Sequence, residues 1–191
     1  MVTPNINQIY DKIVEEAKKY NWGFLLIRKK EFHTFINQLI NRFGKIRVLD
    51  VGAWRCYMRA YLHDNFGADR IEYVGIDVLD PESVGLDRDK LAKFYIMSAE
   101  SLQFPPESFH AVLFIETLEH NVDYVQALRE AYRVLVSGGG IFIQAQQVNT
   151  QDETHLHVLH HITLSRLLKR LGFKDVTYVE APNFAVWGFK P

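Results

Sequence analysis

The chain has 191 residues, 48% of them hydrophobic and 24% charged, with a formal net charge of -1. That suits one domain with a sizeable core, and so even a charge balance gives no footprint for nucleic acid or an anionic membrane surface. A single cysteine, Cys56, excludes an intramolecular disulfide framework. The polar start (Thr3, Pro4, Asn5) is no signal peptide, and no apolar run reaches the roughly 18–20 residues of a membrane span, so the expectation is a cytoplasmic protein.

Helices and strands alternate along the chain. Ile6, Ile9, Ile13 and Ala17 recur at helical spacing, and so do Phe32, Phe35, Ile36, Leu39, Ile40 and Phe43, with Gly44 placed to end the second helix in a left-handed cap. Ile46 to Val51 reads as a strand closed by Gly52, and a helix follows through Leu62. Tyr73 to Val78 is a second strand and Phe94 to Met97 a weaker third. The fourth runs from Phe109 to Ile115. Asp123 caps a helix whose Val125, Leu128, Tyr132 and Leu135 share one face. After the glycine turn Gly138-Gly139-Gly140 comes a fifth strand, Ile141 to Ala145. Thr163 is expected to cap a last helix that carries Leu164, Leu167, Leu168 and Leu171 and stops at Gly172. Two final runs, Val176 to Val179 and Phe184 to Phe189, are separated only by a short turn and predict an antiparallel pair.

Apolar strands alternating with amphipathic helices imply an α/β fold, a mostly parallel sheet covered on both faces. In such sheets ligands bind beyond the carboxyl ends of the strands. Here those ends lead into Asp50-Val51-Gly52, Asp77, Ser98-Ala99-Glu100 and Glu116 through His120. A carboxylate such as Asp77 can accept both hydroxyl protons of a ribose, and Gly52 lets backbone approach a ligand closely. A nucleoside-containing ligand fits this edge.

In order and spacing, Val48-Leu49-Asp50-Val51-Gly52-Ala53, Val74-Gly75-Ile76-Asp77, Ser98-Ala99-Glu100, Ser108 to Leu113 and Leu118-Glu119-His120 resemble the class I S-adenosylmethionine-dependent methyltransferases, nearest their type 11 branch. The resemblance spans about residues 45 to 190. It implies a Rossmann-like, doubly wound seven-stranded sheet with the last strand antiparallel. Residues 45–191 would form the methyltransferase domain and residues 1–44 an N-terminal helical extension or lid. It also implies that Asp50, Gly52 and Ala53 lie along the donor's methionine part, that Asp77 holds the ribose with Val78 beside it, that Ser98 and Ala99 flank the adenine, and that Phe114 or Ile115 lines the sulfonium. The first loop departs from the family's Asp-x-Gly-x-Gly-x-Gly, because Trp54 and Cys56 stand where two glycines are usual. The same departure argues against a nicotinamide dehydrogenase, whose glycine turn supports a pyrophosphate.

Glu116, Glu119 and His120 fall at i, i+3 and i+4, which would share one side of a helical turn. Either they simply start a helix, acids at its positive end, or they bind a divalent metal. Some related O-methyltransferases, among them enzymes of quinone biosynthesis and of small-RNA 3′ ends, carry such a Glu-x-x-Glu-His site. A second group, His155, His157, His160 and His161, follows the fifth strand and should reach the same cleft; His157 is the most similar to the later histidine of the RNA enzymes. The expected metal set is therefore Glu116, Glu119, His120 and His157, better suited to Mn²⁺, Co²⁺, Fe²⁺ or Zn²⁺ than to Mg²⁺.

The function expected is methyl transfer from S-adenosylmethionine to an oxygen or nitrogen acceptor, with His120 or Glu116 taking the proton of a hydroxyl acceptor. The acceptor and the oligomeric state are not legible; the lack of an inserted substrate domain leaves room for a bulky one. The alternative is a non-catalytic module of the same fold, its cofactor loop degenerate at Trp54 and Cys56.

Overall fold

The computed structural model describes residues 28–54, 56–80, 82, 93–146, 153–180 and 183–191. The helix expected around Ile6 to Ala17 lies outside them. Helix α1 (Lys29–Phe43) precedes β1 (Ile46–Val51), α2 (Tyr57–Phe66), β2 (Ile71–Asp77), β3 (Phe94–Ile96) and β4 (Phe109–Ile115). A single 3₁₀ turn (Leu118–His120) then leads to α3 (Tyr124–Val134), β5 (Leu135–Gln146), α4 (His161–Leu171), β6 (Lys174–Val179) and β7 (Asn183–Phe189). The strands form one seven-stranded sheet in the order β3-β2-β1-β4-β5-β7-β6. Strands β3, β2, β1, β4 and β5 run parallel, and β7 lies antiparallel between β5 and β6.

Strand alternation divides the apolar residues between two cores. Ile46, Val48, Leu113 and Phe142 face α1 and α2, whose Phe32, Phe35, Leu39, Met58 and Leu62 cover them. Leu49, Val51, Val112, Phe114 and Ile143 face the other way, onto Leu128, Ala131, Leu164 and Leu168 of α3 and α4. Phe142 has Phe32 edge-on at 5.3 Å, Phe35 at 5.5 Å and Trp187 stacked at 5.9 Å. Truncating a ring held on three sides costs about 3–5 kcal/mol.

Chain punctuation largely follows the expected residues. Gly172 (φ +107°, ψ -2°) ends α4 in the left-handed conformation, Gly44 ends α1 at positive φ but outside the left-handed helical region (φ +74°, ψ -60°), and Asp123 caps α3 by accepting the Gln126 N–H at 2.9 Å. Several boundaries differ: α2 runs on to Phe66, β2 begins at Ile71, β6 begins at Lys174, and Leu135, expected on a face of α3, belongs to β5. Two of the differences have a local cause. Helix α4 begins at His161 rather than after Thr163, because the His160 imidazole accepts the Ile162 N–H at 3.2 Å and does the capping. Strand β5 starts at Leu135, ahead of the glycines. The pairing with β4 jumps from Phe109↔Leu135 to Ala111↔Gly140, and the glycine stretch is held by Gly138 N–H to Lys190 O and Lys190 N–H to Gly139 O, both at 2.8 Å. The glycines are thus an irregularity within a strand, not the turn before one.

Candidate active site

The parallel strands deliver Val51, Asp77, Ile96, Ile115 and Gln146 to one edge of the sheet. The loop after β1 is stitched to β2 by Gly52 N–H and Ala53 N–H, both donated to Ile76 O at 2.9 Å. Gly52 sits at φ +73°, and a Cβ there would lie 2.3 Å from Thr117 Cγ2, so this loop and the one after β4 touch through a position only glycine can fill. Beyond it, Trp54 (φ +40°) and Cys56 (φ +54°) hold left-handed backbone without being glycine. Each such residue costs on the order of 1 kcal/mol or more. The backbone path that glycines favour is retained at both departures from the family pattern.

Asp77, half-buried at the end of β2, accepts the Trp54 N–H on Oδ2 at 2.9 Å and the Leu79 N–H on Oδ1 at 3.0 Å. Each carboxylate oxygen keeps a further lone pair, which is what a pair of ribose hydroxyls requires. Burial raises its pKa, and the backbone donors hold it down. The Trp54 indole leans edge-on toward Tyr57, ring centroids 6.1 Å apart. Asp50 lies deeper, 5% exposed, its Oδ2 accepting the Tyr73 hydroxyl at 2.6 Å. Burial drives its pKa up to about 7, against the lowering effect of Tyr73, and Asp77 adds to the rise. Ala99 is buried beside the loop after β3, where Ser98 Oγ accepts the Glu100 N–H at 3.2 Å. Ile115 is half-buried at its strand end while Phe114 is 1% exposed inside the core, so of the two only Ile115 is placed to face a ligand. Val78 follows Asp77, half-buried, in the bend after β2.

The Glu-x-x-Glu-His stretch does not form one helical face. Glu116 leaves β4 at φ +50°, its N–H donated to Gln144 O at 2.8 Å and its Oε1 accepting Gln144 Nε2 at 3.0 Å. Burial raises the Glu116 pKa, with Gln144 opposing the rise. The buried Gln144 amide is itself fixed by the Arg28 N–H at 3.1 Å, and the Arg28 guanidinium reaches Asn183 O at 2.9 Å and Glu180 O at 2.8 Å. Glu119, His120 and His155, by contrast, come together with ligand-capable atoms all within 4.8 Å of one another. His157 lies outside that group: its Nε2 meets the Val122 carbonyl at 3.2 Å and its ring packs on Tyr124. The expected set of Glu116, Glu119, His120 and His157 is thus split by two local facts, the left-handed turn at Glu116 and the course of the loop through His155. Tyr73 and Gln144 escaped the sequence reading, since each looks like an ordinary strand residue until its polar end is seen against a carboxylate.

The family model that matches, described as a methyltransferase domain, covers residues 49–143, from β1 into β5. No curated protein matches the sequence. Among solved structures, an S-adenosylmethionine-dependent methyltransferase from Archaeoglobus fulgidus aligns with a TM-score of 0.71 at 17% identity, over 91% of this chain and 97% of that one. The 1,6-didemethyltoxoflavin N1-methyltransferase of Burkholderia thailandensis, with 1,6-didemethyltoxoflavin and S-adenosylhomocysteine bound, aligns with 0.66 at 15% identity, over 100% and 92%. The (4+2)-cyclase SpnF aligns with 0.64 at 18% identity, over 81% and 80%. The strand order and the match along β1 to β5 agree: the chain has the class I S-adenosylmethionine-dependent methyltransferase fold, and its residues 49–143 match the methyltransferase-domain family.

Proposed function

We propose that the protein transfers the methyl group of S-adenosylmethionine to an oxygen or nitrogen acceptor held at the carboxyl edge of the sheet. The observation that carries this reading is the Asp77 corner, a half-buried carboxylate clamped by the Trp54 and Leu79 N–H groups beside the Gly52 turn. A cofactor loop decayed at Trp54 and Cys56 would have no reason to keep two strained left-handed residues in the glycine path. The donor, when bound, supplies a methyl group on a sulfonium whose charge vanishes as the new bond forms. Asp50, Gly52 and Ala53 line the methionine side in this reading, Asp77 and Val78 the ribose, Ser98 and Ala99 the adenine, and Ile115 the sulfonium. Glu116 and His120 are the candidate bases. Burial raises the Glu116 pKa, which suits a carboxylate that must accept a proton from a hydroxyl acceptor near neutral pH. Of the N-terminal region, residues 1–44, α1 packs on the sheet, and the part before Arg28 is proposed to cover the donor, anchored where Arg28 grips Gln144, Glu180 and Asn183.

The competing reading, a methyltransferase-fold module that transfers no methyl group, draws on the substituted loop and on a structural neighbour that is a cyclase. Calorimetric titration with S-adenosylmethionine and S-adenosylhomocysteine tests whether the first loop binds the donor, which the degenerate-loop reading denies. One-to-one micromolar binding is expected. No binding to folded protein would favour the non-catalytic module.

A further inference from the structure

We propose that the methyl acceptor is an amine, bound with an N–H on Glu116 Oε2; this deepens the methyl-transfer reading and rests on it. In that reading the donor lies over β3, β2 and β1, which leaves the acceptor the edge over β4, β5 and β7. Two neighbouring residues divide at this line. Thr117 turns back to Gly52 on the donor side, whereas Glu116 turns toward Gln144 on β5.

The Glu116 carboxylate is held in place. Its backbone is left-handed at φ +50°, with its N–H donated to Gln144 O at 2.8 Å. Gln144 is fully buried, and its Oε1 accepts the Arg28 N–H at 3.1 Å. The amide therefore presents Nε2 to Glu116 Oε1, at 3.0 Å. Arg28 directs its guanidinium to the carbonyls of Asn183 and Glu180, away from any ion pair with Glu116. The Gln146 N–H also bears on the Glu116 carboxyl. Oε2 is nevertheless shut off from solvent with no hydrogen-bond partner among the described residues. An unpaired oxygen on a buried carboxylate is costly, and left-handed backbone at a residue other than glycine adds to the cost. A ligand N–H on Oε2 would remove the first penalty.

The path of the charge separates nitrogen from oxygen acceptors. As a neutral amine attacks, its lone pair forms the N–C bond while the C–S bond breaks and leaves its electron pair on sulfur. The sulfonium becomes a neutral thioether, and the positive charge arrives on nitrogen. A fixed carboxylate beside that nitrogen is attracted more strongly as the transfer proceeds, which lowers the barrier rather than only tightening binding. With an ionised oxygen acceptor the charges cancel instead, and a buried carboxylate opposes the acceptor's approach. A neutral hydroxyl must also give up its proton, a demand the amine does not make.

The test needs no knowledge of the acceptor. Sinefungin is an analogue of S-adenosylhomocysteine in which an amine-bearing carbon replaces sulfur, so an ammonium stands where the transferred methyl would. Full-length protein is titrated with each compound by calorimetry. Sinefungin is expected to bind at least about 10-fold more tightly, as a charge-assisted hydrogen bond to Oε2 implies. In Glu116→Gln, which keeps the size and loses the charge, the two affinities are expected to lie within about 3-fold. Equal affinities in the parent would overturn the proposal, and so would a preference that survives Glu116→Gln. Should that variant fail to fold, as circular dichroism would report, Gln144→Leu takes its place. It releases the carboxylate from its fixed position and is expected to cut the preference at least about 3-fold; an undiminished preference would overturn the proposal. Binding of S-adenosylhomocysteine without a preference for sinefungin removes the amine alone, whereas binding of neither compound removes the methyl-transfer reading and the amine with it.

Discussion

Tyr73 donates its hydroxyl to Asp50 Oδ2 at 2.6 Å, across the buried floor under the first loop. A Cβ on Gly75 would meet that hydroxyl at 3.2 Å and Cys56 Sγ at 3.3 Å, so phenol, carboxylate and thiol share one closed compartment. Burial, the largest influence, pushes the Cys56 thiol up to about 12, which removes it as a nucleophile. Tyr73→Phe deletes the donor to a buried carboxylate. The expected loss of unfolding free energy is about 1.5–3 kcal/mol at pH 8, shrinking at pH 5, where Asp50 holds its own proton. Urea unfolding at the two pH values measures both.

The same carboxyl makes stability depend on pH. Its pKa in the folded chain is about 7 against an ordinary 3.8, so between those values the folded state binds more protons than the unfolded one. The stabilisation is complete below the unfolded value and is lost as pH rises through the folded one, by up to about 4 kcal/mol. Thermal or urea unfolding from pH 4 to 8 should therefore decline more steeply in the parent than in Asp50→Asn. If Asp50 meets the donor's ammonium group, donor affinity runs the opposite way, rising with pH through about 7 as the carboxylate ionises.

Asp77→Ala is expected to weaken S-adenosylhomocysteine binding by at least about tenfold, because a bound ribose loses its acceptor while the Trp54 and Leu79 N–H groups lose theirs. Asp77→Asn, with one acceptor oxygen left, should fall between the two. Calorimetry reads the loss directly; affinity unchanged in Asp77→Ala would place the donor elsewhere.

Gln144→Leu removes the amide that donates to Glu116 and accepts from Arg28. The hydrogen bond from Gln144 lowers the Glu116 pKa, so its loss moves that pKa further up. A base must be deprotonated to act, and the acidic limb of the kcat/KM profile should accordingly shift to higher pH once an acceptor is in hand. A loss of about 1–3 kcal/mol in stability should accompany it. A variant that is destabilised but keeps its pH profile would leave Gln144 as scaffold only.

The central parallel strands were legible because a strand covered on both faces must be largely apolar, as Val112 to Ile115 and Ile141 to Ile143 are, whereas β3, with Tyr95 and Ile96 exposed, read as the weaker one. Asp77 was legible for the same reason in reverse: a carboxylate closing an apolar run has to sit at the sheet's edge. The histidines were not. Which of His155 and His157 meets His120 depends on the Leu156 and His157 N–H bonds to Glu119 O, a contact between loops that no local periodicity encodes. Glu116 misled because i, i+3, i+4 spacing presupposes continuous helix, and its left-handed backbone breaks that premise. Trp54 and Cys56 read as losses of glycine, yet the backbone kept the conformation and gave up only the residue type.

Strand β7 is made after β6 yet pairs with β5 over seven consecutive positions, from Gly140↔Phe189 to Gln146↔Asn183, and so separates β5 from β6. During synthesis the edge of β5 therefore stays unpaired until residues through Phe189 have left the ribosome. A nascent chain halted before that point exposes an open, apolar strand edge that invites pairing between chains. Translation that completes quickly past Gly188, or a chaperone that shields Ile141 to Ala145 in the interval, would decide how much of the protein survives its own biogenesis.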